Sequence, residues 1–295
     1  MITELAGEIA SQPGCWRRAV GLAGGVALPR RGERVAVVGC GTSWFMGQAY
    51  AVLRERAGHG ETDAFTASEF PLARRYDRVL ALTRSGTTTE ILTLLHALRG
   101  TQDGPRTTVI TADPSAPVTG AADDVIVLDF ADERSVVQTR FATTQLALLR
   151  VHLGEDLSEV VADGERAVAE EVPGELVGAE QISFLGSGWA YGLAQEAALK
   201  MREAARAWTE AYPAMEYRHG PISIAGPGRV TWMLGPAPPG LSADVHRTGA
   251  TFVSRDTDPM AELIRIQRLA EARAVALGLD PDHPLHLTRS VILAP

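Results

Sequence analysis

A chain of 295 residues with 45% hydrophobic content holds material for one large or two medium domains, which excludes an intrinsically disordered protein. Its net charge of −8 and pI near 5.4 argue against nucleic acid or an anionic membrane as principal partner, so any bound anion must be held by a local set of donors. The two cysteines, Cys15 and Cys40, offer neither a disulfide framework nor metal-ligand spacing, no run is long and apolar enough to span a bilayer, and the N-terminus lacks a signal-peptide core; a cytoplasmic protein is expected.

Residues 3–28 read as helix with a break at Pro13-Gly14, its stripe made by Leu5, Ile9, Trp16, Val20 and Leu22. Arg34 to Val38 is a short β-branched run entering Gly39-Cys40-Gly41-Thr42-Ser43, and a helical stretch runs from Trp44 to Arg56. This is strand, glycine turn, helix: the opening of a βαβ unit. A dinucleotide fingerprint wants Gly or Ala where Trp44 stands, although Glu61 or Asp63 is placed as a ribose acid would be. Thr42 and Ser43 instead put two hydroxyls at the helix mouth, which suits a phosphate monoester or a sugar hydroxyl.

Further strands are expected over residues 62–66, 78–82, 107–111 and 124–128, compact apolar runs of the kind buried on both faces of a parallel sheet. The third leads into Leu82-Thr83-Arg84-Ser85-Gly86-Thr87-Thr88-Thr89-Glu90 and then a helical pattern through Leu98. Hydroxyls around one glycine at a helix start can hold an anion with the free N–H groups of the first turn. The same stretch also reads as a plain helix start, because Thr87-x-x-Glu90 is a capping box.

Residues 133–141 lead into a helix through Leu153, and residues 154–180 read as a connecting helix. Then the pattern restarts: a strand over 181–185 meets Gly186-Ser187-Gly188. At an offset of 147, Gly39 falls on Gly186, Gly41 on Gly188, Gln48 on Gln195 and Glu69 on Glu216. A two-fold repeat follows, giving two similar doubly wound three-layer α/β/α domains with parallel sheets, over 31–153 and 181–295, after an N-terminal helical segment over 1–30.

The second glycine turn opens a helix carrying Glu196, Lys200 and Glu203 at i, i+4 and i+7. A solvated salt-bridged face is one reading; the small and apolar flanks Ala197, Ala198, Leu199, Ala204 and Ala205 favour a buried helix whose charges have a task or a partner. His219 precedes Gly220-Pro221 on a rigid loop, either structural or an acid/base group. Strands over 229–234 and 251–253, a helix over 258–277 and an apolar tail over 283–293 that packs on the body complete the chain.

Gly39-Cys-Gly-Thr-Ser43, Ala67-Ser-Glu-Phe70, Thr83 to Glu90, Glu133 to Thr139, Glu196-Ala-Ala-Leu-Lys-Met-Arg-Glu203, Glu210-Ala-Tyr212, Arg218-His-Gly-Pro221 and Leu287-Thr-Arg-Ser-Val291 occur in that order. With these motifs the chain resembles the sugar isomerase (SIS) family in its double-domain form. It is most similar to the isomerase half of glucosamine-6-phosphate synthase and to stand-alone sugar-phosphate deaminases and isomerases. The resemblance implies a phosphate cradle at Ser43, Thr83, Arg84, Ser85 and Thr88, with Gly41 and Thr42 beside the sugar, and a sugar pocket lined by Ser135, Val136 and Gln138. It implies Glu203 as the base that moves a proton between C1 and C2, and His219 as the ring-opening acid/base supplied from the neighbouring subunit of a homodimer. Lys200 and Glu196 complete that polar face, and the tail at Thr288 and Arg289 closes over the substrate.

The substrate implied is a hexose or hexosamine phosphate, and the chemistry asks for no metal or organic cofactor. Four residues bear on the comparison with the family, which often has Gln or Arg at position 84. Arg84 adds a formal charge to the cradle, Arg289 replaces the synthase lysine with a poorer proton-transfer group, and Leu285-His286 replaces an Arg-Asn pair. Neither a glutaminase domain nor an N-terminal nucleophilic cysteine is present in these residues, so glutamine-dependent synthesis is not expected of this chain alone. An amino-sugar-phosphate deaminase/isomerase is the first expectation. A deglycase for phosphorylated fructosamines or another aldose–ketose phosphate isomerase is the second, and a non-catalytic sugar-phosphate-binding regulator the third.

Overall fold

The computed structural model describes residues 3–101 and 104–293. The strands are β1 (Val35–Gly39), β2 (Thr62–Thr66), β3 (Arg78–Leu82), β4 (Arg106–Thr111), β5 (Asp124–Val127), β6 (Gln181–Gly186), β7 (Trp208–Pro213), β8 (Arg229–Leu234) and β9 (Thr251–Ser254). The α-helices are α1 (Glu4–Ala10), α2 (Gln12–Leu22), α3 (Thr42–Arg56), α4 (Thr89–Arg99), α5 (Arg140–His152), α6 (Ser158–Ala169), α7 (Gly174–Val177), α8 (Ala190–Ala205), α9 (Leu241–His246) and α10 (Pro259–Ala276).

Two compact units form. The first-sheet unit takes Gly14–Glu133, Arg140–Leu157 and the tail from Thr288; the second-sheet unit takes the chain up to Pro13, Arg134–Thr139 and Ser158–Leu287. The N-terminal segment is therefore shared between units, and residues 134–139 and the tail each cluster with the sheet they are remote from in sequence.

In the first-sheet unit five parallel strands take the order β2-β1-β3-β4-β5. The central β1 and β3 are buried along their whole length, which is why their sequences read as unbroken apolar runs. Val38, Val79, Ala81, Leu95 and Val109 form the core under α4. The strand order reverses between β1 and β3, and the loops leaving those two strands are Gly41–Ser43 and Thr83–Thr88. In open α/β sheets this is the place where a crevice opens for ligands.

The second-sheet unit repeats the plan with four parallel strands, β7-β6-β8-β9. In the first sheet Gly39 pairs with Thr66; in the second Gly186 pairs with Pro213, both partners displaced by 147 residues. The shared glycine has a shared cause. A Cβ at Gly39 would lie 2.6 Å from the Ser43 backbone carbon, and one at Gly186 would overlap the Ala190 backbone, so glycine lets the next helix start against the strand end.

Some elements differ from expectation. Helix α1 ends at Ser11, whose hydroxyl turns to the Glu8 carbonyl, and Pro13 sits in the first turn of α2, where its missing N–H costs nothing. Two helices, α6 and α7, replace the single connecting helix, with Pro173 at the start of the second. Strand β7 is not among the strands expected from the sequence. It is an edge strand, with Trp208 exposed and Thr209 buried, so its apolar signal is weak. The tail is held through its backbone. Thr89 N–H donates to the Val291 carbonyl at 3.2 Å and Leu293 N–H to Thr89 Oγ1 at 3.0 Å, while the side chains of Val291, Ile292 and Leu293 stay exposed. Among the described residues no helix is long and apolar enough to cross a membrane.

Candidate functional site

In the first-sheet unit the cradle is built from two turns. Gly41 stands at the N-cap of α3, and its carbonyl accepts the N–H groups of Trp44 (3.0 Å) and Phe45 (3.2 Å). Thr42 and Ser43 open the helix and are buried. After β3, Thr83 Oγ1 accepts the Gly86 N–H at 3.2 Å, and Ser85 Oγ accepts the Thr87 N–H at 3.3 Å. Gly86 has φ +62° and packs where a Cβ would come within 2.5 Å of Ala116 Cβ, so this loop shape requires glycine. Hydroxyls thus gather at the N-termini of two helices, where the backbone dipoles favour an anion.

The capping box is not formed. The N-cap of α4 is Thr88, with no side-chain cap bond; Thr87 Oγ1 instead lies 3.1 Å from Ser85 Oγ and 3.0 Å from Ser290 Oγ. Thr88 Oγ1 is 3.3 Å from the same Ser290 hydroxyl. The Val291 carbonyl of the tail takes the Thr89 N–H, and Ser85 Oγ takes the Thr87 N–H that a capping box would give to Glu90.

Arg84 is 3% exposed. Its Nη1 lies 3.5 Å from Glu133 Oε2, its Nη2 donates to the Arg289 carbonyl at 3.2 Å, and Glu133 also accepts the Arg140 N–H at 2.8 Å. A buried carboxylate therefore meets the charge that Arg84 was expected to add to the cradle. The Arg289 guanidinium bonds the Asp132 carboxylate and the Glu133 carbonyl, and Thr288 Oγ1 donates to the Ser290 carbonyl at 2.8 Å. Burial, reinforced by Glu90, pushes the Cys40 thiol up to about 11 against a bond from the Ala67 backbone.

In the second-sheet unit, α8 carries the charged cluster. The Lys200 side chain is 1% exposed, with Glu196 Oε1 3.5 Å from its Nζ and the Glu203 carboxylate bonded directly to it. Glu196 is fully buried and Glu203 is not. This rules out the solvated salt-bridged face: the Lys200 ammonium and the Glu196 carboxylate are held out of water, where each needs its partner, and Glu203 is partly exposed. Glu203 lines a cavity of about 410 Å³ together with Leu199, Arg202, Arg206 and residues 285–287. Of the cluster, it alone lines that cavity.

Residues 134–139 of the same unit alternate. Ser135, Val137 and Thr139 are buried, while Val136 and Gln138 are half-buried. The Ser135 hydroxyl is turned inward, bonded to the Glu8 carboxylate and 2.8 Å from the Val137 carbonyl, so of the three residues expected to line a sugar pocket only Val136 and Gln138 face outward. Gln138 Oε1 has no hydrogen-bond partner among the described residues.

His219 ends a 3-10 turn, Glu216–His219, and is exposed, without a hydrogen bond or ion pair to any described residue. Its neighbour Arg218 fixes the turn through Asp244 (2.5 Å) and the Pro239 carbonyl (2.8 Å). The structure thus brings Glu196, Lys200 and Glu203 together and leaves His219 apart from them. Glu8 and Asp282 are further polar residues of this unit that sequence reasoning passes over. The signal for Glu8 was available: a carboxylate set between Leu5 and Ile9 on the apolar stripe. Among the described residues, no three His, Cys, Asp or Glu side chains are grouped to hold a metal ion.

No family model matches the chain. It is 30% identical over 298 residues to the glutamine–fructose-6-phosphate aminotransferase (isomerizing) of Sulfurisphaera tokodaii, covering 89% of this chain and 50% of that protein. The chain spans about half the length of the curated relatives it matches. Among solved structures it is similar to glucosamine-6-phosphate deaminase from Thermotoga maritima, with TM-score 0.84, 24% identity, and coverage of 99% of this chain and 100% of that one. It is also similar to tagatose-6-phosphate ketose/aldose isomerase from Escherichia coli, with TM-score 0.82, 18% identity, and coverage of 99% and 97%. The fold is that of the sugar isomerase (SIS) proteins, and the sequence is similar to about half the length of the isomerizing aminotransferases.

Proposed function

We propose that this protein is an amino-sugar-phosphate deaminase/isomerase, converting glucosamine 6-phosphate or a close analogue to the ketose phosphate and ammonia. The observation that carries the reading is the Lys200 ammonium buried between Glu196 and Glu203, with Glu203 lining a cavity. A carboxylate so placed is a base for a carbon-bound proton, and the adjacent ammonium steadies charge that develops on the substrate.

In the open-chain sugar, Glu203 removes the C2 proton and returns it to C1, leaving an imine at C2. Water adds to that carbon, the carbon–nitrogen bond breaks, and ammonia departs with the ketose phosphate. His219, contributed from a second subunit of a homodimer, takes the anomeric hydroxyl proton and delivers one to the ring oxygen so that the ring opens. The hydroxyl loop of the first-sheet unit, with its helix N–H groups, is suited to hold a phosphate. The activities for which the similar proteins are named, a deaminase and a ketose/aldose isomerase, support the same substrate class.

The test is a panel of hexosamine 6-phosphates, phosphorylated fructosamines and aldose phosphates, scored for ammonia and for ketose. Ammonia and ketose phosphate in equal amounts from a hexosamine phosphate are expected. Turnover confined to fructosamine or aldose phosphates, or saturable binding without turnover across the panel, overturns the assignment.

A further inference from the structure

The least exposed carboxylate of α1 serves no core-packing purpose. Glu8 is 3% exposed, and it accepts the Arg134 N–H at 2.5 Å, the Ser135 N–H at 3.3 Å and the Ser135 hydroxyl. Burying a carboxylate is costly unless several donors converge on it. Three of its hydrogen bonds come from one short segment, residues 134–135, remote in sequence. Asp282 holds the same segment from another direction. Its carbonyl accepts the Val136 N–H at 2.9 Å, and its carboxylate accepts the N–H groups of Glu4 (3.0 Å) and Leu5 (2.8 Å) at the first turn of α1.

Residues 134–137 bend, and burial alternates from Ser135 to Thr139. Pinned at Arg134, Ser135 and Val136, the segment turns Val137 and Thr139 into a tightly filled space with Leu5, Ile9 and Lys200. The other set, Val136 and Gln138, is the partly exposed one, and Gln138 Oε1 is the acceptor left without a partner. One set of side chains therefore packs beside Lys200 of the charged cluster, while the other includes a buried amide oxygen without a partner among the described residues.

We infer that Glu8 is a positioning residue for substrate recognition: by holding residues 134–135 it fixes the course of the segment so that Gln138 Oε1 accepts from a hydroxyl or amino group of the bound sugar. This rests on the proposed sugar-phosphate activity. Glu8 touches no substrate; its effect passes through Ser135 and the backbone of Arg134.

The experiment compares the wild type with Glu8→Gln and Ser135→Ala, singly and combined, in the full chain. KM for the turned-over sugar phosphate should rise about tenfold in Glu8→Gln with kcat within about twofold, as expected when a few hydrogen bonds to a charged acceptor are weakened. Inhibition by inorganic phosphate, which probes only the hydroxyl loop, should not change. The double variant should be less than additive, because both changes cut the same bond. Hydrogen exchange should speed at residues 134–136 and not along α8. An unchanged KM overturns the inference, and so does a parallel loss of phosphate inhibition and melting temperature, which marks a general structural role. A wild type that neither binds nor turns over any sugar phosphate overturns the proposed function itself, an outcome visible before any variant is made.

Discussion

The guanidinium of Arg84 sits in the cradle loop, yet its charge is met by Glu133, whose side chain is fully buried. The sequence shows an arginine in an anion-binding loop; it does not show a carboxylate closing on it from residue 133. Breaking such a pair leaves a buried charge uncompensated. Arg84→Gln should therefore lower stability by about 3 kcal/mol, read as a fall in melting or denaturant midpoint. An unchanged midpoint with lost phosphate inhibition would return Arg84 to the role of a direct phosphate ligand. Cys40 lies in the neighbouring turn, with its thiol pushed up to about 11 by burial and by Glu90. The reactive thiolate is then scarce at neutral pH. Alkylation by iodoacetamide should be slow at pH 8 and accelerate steeply as pH approaches that value, and Glu90→Gln should speed it. Fast labelling of Cys40 at pH 7 would contradict this.

Elements were legible in proportion to how their burial marks the sequence. Strands β1 and β3, buried on every residue, stand out as apolar runs, and the glycine turn after β1 and β6 exposes the repeat. The edge strand β7 was obscured because only Thr209 of its six residues is buried, and the capping box failed because Ser290, distant in sequence, competes for Thr87. The loop between β3 and α4 depends on Gly86. Gly86→Ala would force a left-handed φ on alanine and drive its Cβ against Ala116 and Val118, costing about 2 to 3 kcal/mol and weakening phosphate binding. Normal thermal stability in that variant would show that the loop can rearrange. At the start of β5, Arg106 holds the Asp124 carboxyl below the usual range, against the pull of burial and with help from Arg78. A folded pKa below the unfolded one means that the stabilisation is complete above about pH 4 and is lost as pH falls through the folded value. Asp124→Asn should therefore be less stable than wild type at pH 6 and converge with it in acid. Parallel stability curves from pH 6 to 2 would contradict the assignment.

At the scale of the whole molecule, the repeat has diverged in a way the sequence already shows. The first-sheet unit keeps the hydroxyl loop, and the second-sheet unit keeps Glu196, Lys200 and Glu203. What the sequence does not show is that residues 134–139 cluster with the second sheet and the tail from Thr288 with the first, because membership in a unit is decided by contacts remote along the chain. The central claim is that Glu203 is the base in a sugar-phosphate deaminase/isomerase. The most direct measurement is the rate of ammonia release from a hexosamine 6-phosphate by wild type and by Glu203→Gln, with substrate binding followed in parallel. The account predicts that the variant binds the sugar phosphate within a few-fold of wild type and loses about 100-fold or more in kcat. Turnover by Glu203→Gln at the wild-type rate would contradict it.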